Sequence, residues 1–193
     1  MGSHYYYLVA QLPYLTYGQN APMSSEAFKA LAREQMGSKD AAVLEYCTLD
    51  PAPLVDEEAG STYAKPPPKT ASSLVNNWKK WERTLRLNLA KVRAQKLKRD
   101  GKLVIGAPDD PAEAVAAAKT ALVMESPLEA ELYLDKARWD AIENFQGLNI
   151  FSEDCIYAYL IKLLLMERKA MFNAEEGYAE YKRLYAAILG EKK

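Results

Sequence analysis

Residues 152–172, SEDCIYAYLIKLLLMERKAMF, decide the fold of this chain. Apolar side chains occupy most faces of a helix drawn through them, and only Lys162 interrupts the apolar middle. A helix that is apolar on most faces is typical of the buried centre of a domain. Ser152 can cap its start, with Phe151 and Ile156 at the two positions of a hydrophobic staple. The sequence therefore predicts a central helix around which other helices pack.

Three further helix starts surround this segment. They lie at residues 110–113 (DPAE), at residues 126–129 (SPLE), and at Asn173 followed by Glu176. The first two combine a capping residue, a proline at the first helical position and an acid at the third, which is a typical helix start. Together with the start at Ser152, they predict a four-helix C-terminal part joined by short turns.

A long basic helix is predicted over residues 72–99. Its apolar side chains recur every three or four residues, and they are Leu74, Trp78, Trp81, Leu85, Leu89 and Val92. Residues 102–106 (KLVIG) are too short to assign and are compatible with one short strand. We therefore expect an all-α, mainly helical fold: a bundle with one long basic helix, a four-helix C-terminal part and at most a minor strand.

The chain divides into three segments. Residues 1–47 predict an N-terminal helical hairpin, in which Ser24 can cap the first helix. Within it, residues 5–10 (YYYLVA) are compatible with either a short strand or a helical turn. Residues 48–69 predict a proline-rich linker, because proline fixes the backbone and favours extended segments. Residues 70–193 form the predicted main bundle.

The inventory of reactive residues favours a non-catalytic protein. His4 is the one histidine, and it lies in residues 1–4 (MGSH), a stretch typical of an expression tag. Ser–His or Cys–His catalysis therefore lacks a base. Cys47 and Cys155 do not have the spacing of zinc ligands, and the glycines are not clustered as in a phosphate-binding loop. We expect no enzyme activity, no metal and no cofactor.

The same composition favours a cytoplasmic location. Two cysteines do not make a disulfide framework, which fits a reducing compartment. The sequence contains no run of about 18 apolar residues, so no transmembrane helix is predicted. The N-terminus also lacks the basic and then apolar layout of a signal peptide.

Charge is unevenly distributed although the net charge is −1. Residues 74–102 carry ten basic residues against Glu82 and Asp100, a net charge of +8, whereas residues 103–160 carry three basic residues against eleven acids, a net charge of −8. Such blocks have three interpretations. They can face each other within the fold or form ordinary solvated surface. The basic block can instead dock onto an acidic protein or bind nucleic acid. The predicted partner-binding residues are Lys79, Lys80, Arg83, Arg86, Lys91 and Arg93.

Aromatic side chains on two helices each have two interpretations. Trp78 and Trp81 can stack on nucleic-acid bases, but they fall on the apolar stripe, which favours the core. Tyr178, Tyr181 and Tyr185 recur at helical spacing on the last predicted helix. Core packing is the favoured interpretation for these tyrosines, and an interface is the alternative because tyrosine suits half-buried contacts.

Three segments carry a family resemblance. The first is residues 5–13, YYYLVAQLP. The second lies within residues 78–94 and includes Trp81, Glu82, Leu85, Arg86, Leu89, Ala90, Arg93 and Ala94. The third is PLEAE at residues 127–131, continued by Leu134, Asp135, Arg138 and Trp139. These segments resemble a bacterial family of unknown function whose genes lie among those of V-type ATPase subunits.

A weaker similarity extends to the C subunit of the V-type ATPase, called d in the eukaryotic enzyme. That all-helical protein sits on the membrane rotor ring and receives the central stalk. Residues 134–139 (LDKARW) resemble its Leu-Asp-x-x-Tyr-Phe segment, and the following apolar helix to Arg168 resembles its long inner helix. The chain departs from it in having Arg138-Trp139 in place of the aromatic pair, and in being far shorter than its three helical modules.

The resemblance implies a non-catalytic subunit or accessory factor of a V-type ATPase. Its expected partners are subunits of the rotor ring and the central stalk, with membrane association only through those partners. The alternative is a nucleic-acid-binding helical module that uses the basic face over residues 79–102.

Overall fold

The computed structural model describes residues 5–49, 69–96, 109–172 and 174–189. Its helices are α1 (Tyr6–Gln11), α2 (Ser25–Gln35), α3 (Ser38–Val43), a 3-10 helix (Leu44–Tyr46), α4 (Ser73–Lys96), α5 (Ala112–Ala121), α6 (Pro127–Gln146), α7 (Glu153–Ala170) and α8 (Ala174–Leu189). The predicted all-α fold class is confirmed, and no strand occurs within these described ranges.

Helix α7 is the centre of the bundle, as residues 152–172 predict. Acids in its first turn and bases in its last turn both suit the helix dipole. Helices α2, α4 and α6 pack against it. Its buried side chains are Ile156, Tyr157, Ala158, Leu160, Ile161, Leu163, Leu165 and Met166. Burial of these apolar groups makes α7 a major source of hydrophobic stabilisation.

Helix α4 begins at Ser73 and is capped by Ser72. The Ser72 hydroxyl oxygen accepts a hydrogen bond from the Val75 N–H at 3.1 Å, which satisfies one of the free donors of the first turn. The buried members of the predicted stripe are Leu74, Trp78, Trp81, Leu85 and Leu89, and Val92 is half-buried. The helix packs against α5, α6 and α7, so it is buried on more than one side.

Two predicted helix starts are confirmed by their capping hydrogen bonds. The Ser24 hydroxyl oxygen accepts from the Ala27 N–H at 3.1 Å, and the Ser126 hydroxyl oxygen accepts from the Glu129 N–H at 3.3 Å. These serines cap α2 and α6, and in α6 Pro127 occupies the first turn, where its missing N–H costs nothing.

The start predicted at residues 110–113 is displaced by one residue. Pro111 precedes α5 in an extended conformation, and the helix begins at Ala112. Asp110, which was expected to cap the helix, pairs instead with the ammonium of Lys80. The Asp110 carbonyl also accepts a hydrogen bond from the Thr84 hydroxyl at 3.0 Å. Contacts with α4 therefore replace the capping role of Asp110.

The predicted N-terminal hairpin segment shares the core of the main bundle. Residues 6–11 form helix α1, so the helical alternative for this stretch is confirmed and the strand alternative is wrong. Leu8 and Phe28 belong to the same hydrophobic core as α7. At the start of α2, the Glu167 carboxylate accepts hydrogen bonds from the Ser25 N–H at 2.6 Å and from its hydroxyl at 2.7 Å. A carboxylate from α7 thus occupies the positive end of α2.

Several predicted features lie outside the described residues. They are most of the predicted linker (residues 50–68), the basic residues of 97–102, the short apolar stretch at residues 102–106, and Asn173.

Candidate functional site

The six predicted partner-binding residues do not form one uninterrupted face of α4. A helix advances by roughly 100° per residue, so the six residues divide into two groups. One side of α4 carries Lys79, Arg83, Arg86 and Arg93, and a position about a quarter turn away carries Lys80 and Lys91. The side chains of the two groups also differ in the residues that surround them.

The two lysines nearest the start of α4 are engaged by other parts of the fold. The Lys79 ammonium lies 4.4 Å from the centroid of the Tyr46 ring, a cation–π contact. The Lys80 ammonium pairs with Asp110, and both side chains remain largely exposed. Such exposed pairs are worth roughly 0–1 kcal/mol, so Lys80 can exchange Asp110 for another acidic group at little cost.

The basic residues further along α4 differ in their contacts: one is ion-paired, and two make no ion pair among the described residues. The Nε of Arg86 donates to Glu82 Oε1 at 2.6 Å, and its Nη2 donates to the Leu49 carbonyl at 2.8 Å. Lys91 is half-buried and Arg93 is exposed. Neither of these two makes an ion pair within the described residues.

Arg138 of α6 lies at the centre of a group of charged side chains between helices, three of them buried and three half-buried. We define this arginine cluster as Glu82, Arg86, Glu131, Asp135, Arg138 and Arg168. The Arg138 side chain is only 4% exposed. It donates to both Glu82 oxygens at 3.0 and 3.2 Å and to Asp135 Oδ1 at 2.9 Å. Two-pronged arginine–carboxylate contacts are the strongest ion pairs, and this one ties α6 to α4.

Asp135 is the least compensated member of the arginine cluster. Its side chain is 1% exposed, and its Oδ2 accepts no hydrogen bond in the described structure. Burial raises the pKa of this carboxyl above its ordinary value, although Arg168 and Arg138 pull the pKa the other way. Burying a carboxylate is costly unless it is fully paired, so Asp135 depends on both arginines.

The outer members of the cluster extend it to α7. Arg168 pairs with Glu131, and its Nη1 lies 3.3 Å from Asp135 Oδ1. Glu131 in turn lies 3.5 Å from Arg138 Nη1. Arg86, Glu131 and Arg168 are each between 24% and 29% exposed, so they lie at the edge between the core and solvent. The cluster therefore fixes α4, α6 and α7 relative to one another.

A pocket of about 270 Å³ lies beside the arginine cluster. Its lining residues are Arg86, Leu89, Ala90, Arg93, Glu131, Leu134, Arg138 and Arg168. Four guanidinium groups and one carboxylate share the pocket with an apolar wall. Guanidinium groups remain charged at physiological pH and bind oxyanions, so the pocket is suited to binding an anion.

The sequence pattern predicts Arg86 of the cluster and Arg93 of the pocket lining as partner-binding residues, but it does not predict the other five members of the cluster as site residues. Glu82 is one of two acids within the basic block, and Arg138 is one of three bases within the acidic block. A residue whose charge opposes that of its neighbours is a candidate for a buried ion pair with another segment. That pattern points to Glu82 and Arg138, whereas the partners of Asp135 and Arg168 depend on helix packing.

The tryptophan pair belongs to the core, as the apolar stripe indicates. Trp78 and Trp81 are 1% and 2% exposed. Their rings stack with centroids 6.1 Å apart and planes 13° apart. The Trp78 Nε1–H donates to the Thr48 carbonyl at 3.3 Å. Neither ring is accessible for stacking on a nucleic-acid base.

The tyrosines of α8 are exposed, and the prediction that they pack in the core is wrong. We define the tyrosine face as Tyr178, Tyr181, Leu184 and Tyr185, which are 60%, 59%, 51% and 53% exposed. Tyr181 and Tyr185 stack on each other with ring centroids 5.9 Å apart. Within the described part of the chain, α8 makes at most marginal contact with other helices. The tyrosine face is therefore available to a partner.

The two cysteines are expected to differ sharply in reactivity. Burial raises the pKa of the Cys47 thiol to about 12, so very little of it is the reactive thiolate at neutral pH. Cys155 is only partly buried. We expect a maleimide to modify Cys155 first and Cys47 only after unfolding, as measured by mass spectrometry of timed digests. Equal rates in the folded protein, with urea as the unfolded control, would contradict the buried position of Cys47.

Within the described ranges, no group of three or more His, Cys, Asp or Glu side chains is placed to hold a metal ion. None of the helices in those ranges has the length and apolar character needed to cross a membrane.

Comparison with known proteins returned no matching family model, no matching curated protein and no matching solved structure.

Proposed function

We propose that this chain is a non-catalytic helical adaptor of a V-type ATPase, acting as a resident subunit or as an accessory factor. The resemblance in residues 5–13, 78–94 and 127–139 supports the choice of partner, namely the rotor ring or the central stalk. The observation that carries the protein-binding role is the exposed tyrosine face of α8.

The spacing of the tyrosine face favours another helix as its occupant. Tyr178, Tyr181 and Tyr185 follow one another at intervals of three and four residues. This repeat forms the seam of helices that pair side by side. Tyrosine is also enriched at interfaces, because its ring packs while its hydroxyl remains hydrated. We therefore propose that α8 binds an amphipathic helix of an ATPase subunit that carries an apolar stripe of the same spacing.

Exposed basic residues on α4 support this docking, because they attract and orient an acidic partner before contact. Lys80 is largely exposed with a weak partner, and Arg93 is exposed without an ion pair among the described residues. Exposed charges raise the association rate and select orientation more than they raise affinity. An acidic surface on the partner would complement them.

The nucleic-acid alternative has less support. Trp78 and Trp81 are buried, so the basic helix lacks the stacking platform typical of single-strand binding. Lys79, Lys80 and Arg86 already contact groups within the chain. A steep dependence of DNA or RNA binding on salt concentration would revive this alternative.

A double substitution on α8 tests the proposed interface. We expect Tyr181→Ser with Tyr185→Ser to weaken binding to the purified ATPase by about tenfold or more, because aromatic anchors dominate interface energies. Each change should alter the free energy of unfolding by less than about 0.5 kcal/mol, since both side chains are exposed. Binding is measured by biolayer interferometry and stability by urea unfolding.

The matched control is Tyr7→Ser with Tyr14→Ser, since these tyrosines are 75% and 90% exposed and lie outside α8. The control variant should bind as the wild type does. Equal loss in both double variants, or no loss in either, would contradict an interface on α8. A change from dimer to monomer in light scattering would identify a second copy of the chain as the occupant instead of an ATPase helix.

A further inference from the structure

We propose that the pocket beside the arginine cluster is a binding site for a single carboxylate, carried by an acidic side chain of the partner protein. The proposal deepens the proposed function, and it rests on that function for the identity of the partner. The site itself is formed by residues of α4, α6 and α7.

Among the residues that the structure describes, the charges that line and support the pocket leave one positive charge uncompensated. Its four arginines are opposed by three carboxylates, those of Glu82, Glu131 and Asp135. Ion pairs hold the guanidinium groups of Arg86, Arg138 and Arg168 in place. Arg93 supplies the remaining charge, because it is exposed and makes no ion pair within the described residues.

This charge balance favours a carboxylate over a phosphate. A side-chain carboxylate brings one negative charge, which completes the balance of the site. A phosphate group brings about −1.5 to −2, which would leave excess negative charge against Glu131 and Asp135. Asp135 already has a raised pKa and an oxygen without a hydrogen bond, so negative charge beyond the one unit that Arg93 balances is unfavourable.

The shape and polarity of the pocket favour a carboxylate on a short aliphatic stem. Leu89, Ala90 and Leu134 provide the apolar part of the pocket lining beside the guanidinium groups. A volume of about 270 Å³ accepts a side chain such as glutamate together with a few waters. The methylene groups can contact the apolar wall while the carboxylate accepts paired hydrogen bonds from guanidinium N–H groups. An inorganic ion would leave the apolar wall unused.

The test uses the full chain and small probes, so it does not depend on the ATPase. Butyrate, butyramide and inorganic phosphate are titrated separately into ¹⁵N-labelled protein at neutral pH and low temperature, where phosphate keeps most of its second negative charge, and the arginine Nε–H signals are followed by NMR. We expect butyrate to shift the signals of Arg86, Arg93 and Arg168 in a saturable manner. Butyramide should cause no saturable shift, because it lacks the charge, and phosphate should bind more weakly than butyrate.

A pair of matched variants completes the experiment. Arg93→Gln should weaken butyrate binding by about tenfold, because it removes the uncompensated charge and its hydrogen bonds. Arg183→Gln on α8 removes an exposed arginine elsewhere and should bind as the wild type does. The proposal is overturned if butyrate gives no saturable shift, if phosphate binds more tightly, or if both variants behave alike. Failure of the chain to bind the ATPase would leave these outcomes unaffected and would count only against the proposed function.

Discussion

Replacing Arg138 by alanine is expected to lower the free energy of unfolding by about 3–5 kcal/mol, the usual cost of removing one partner from a buried ion pair. Arg138 is 4% exposed and compensates the carboxylates of both Glu82 and Asp135. Without it, these two acids remain buried with like charges close together. Urea unfolding followed by circular dichroism measures the loss, and the slope of the transition shows whether unfolding stays two-state.

Two further variants distinguish the ion pair from a general effect of losing an arginine. Arg183→Ala removes an arginine that is 74% exposed and pairs with Glu180, and it should cost about 1 kcal/mol or less. Arg138→Lys keeps the charge but loses the two-pronged geometry, so it should fall between the wild type and Arg138→Ala. A loss below about 1 kcal/mol for Arg138→Ala would contradict the burial of the arginine cluster.

Leu163→Ala is expected to cost about 2–5 kcal/mol through lost burial and the cavity left in the core. Leu163 is 0% exposed and lies on α7, against which α2, α4 and α6 pack. Thermal and urea unfolding of the variant measure the effect. Because neighbouring side chains also lie in the close-packed core, little relaxation into the cavity is expected.

The matched control is Leu184→Ala on α8, where the leucine is 51% exposed. It should change the free energy of unfolding by about 0.5 kcal/mol or less, while the proposed function predicts that it weakens partner binding. A loss at Leu184 as large as the loss expected at Leu163 would show that α8 packs into the core, and a negligible loss at Leu163 would contradict the central position of α7.

Local patterns predicted much of the fold. Ser24 and Ser126 cap helices where expected, because capping depends on a few neighbouring residues. The apolar character of residues 152–172 predicted the central helix, because burial of most faces leaves few polar positions. The start at Pro111 was misplaced by one residue, since Asp110 contacts Lys80 and Thr84 of α4. Those contacts join positions far apart in sequence, which local patterns do not describe.

The candidate site was less predictable for the same reason. Glu82 and Arg138 are 56 residues apart, and only the packing of α4 on α6 brings them together. The tyrosines at 178, 181 and 185 have a spacing that suits a core stripe and an interface stripe equally well. Their exposure depends on whether another helix of the chain covers α8, which the spacing alone does not determine.

Co-purification from native cells tests the central claim most directly. The chain, tagged at a position away from α8, is isolated with the ATPase-containing membranes and the soluble sector, alongside the Tyr181→Ser, Tyr185→Ser variant. We predict that ATPase subunits accompany the wild-type chain in a fixed ratio and are lost from the double variant. Recovery with partial complexes only would identify an accessory factor within the same account. Absence of ATPase subunits from the wild-type preparation would contradict it.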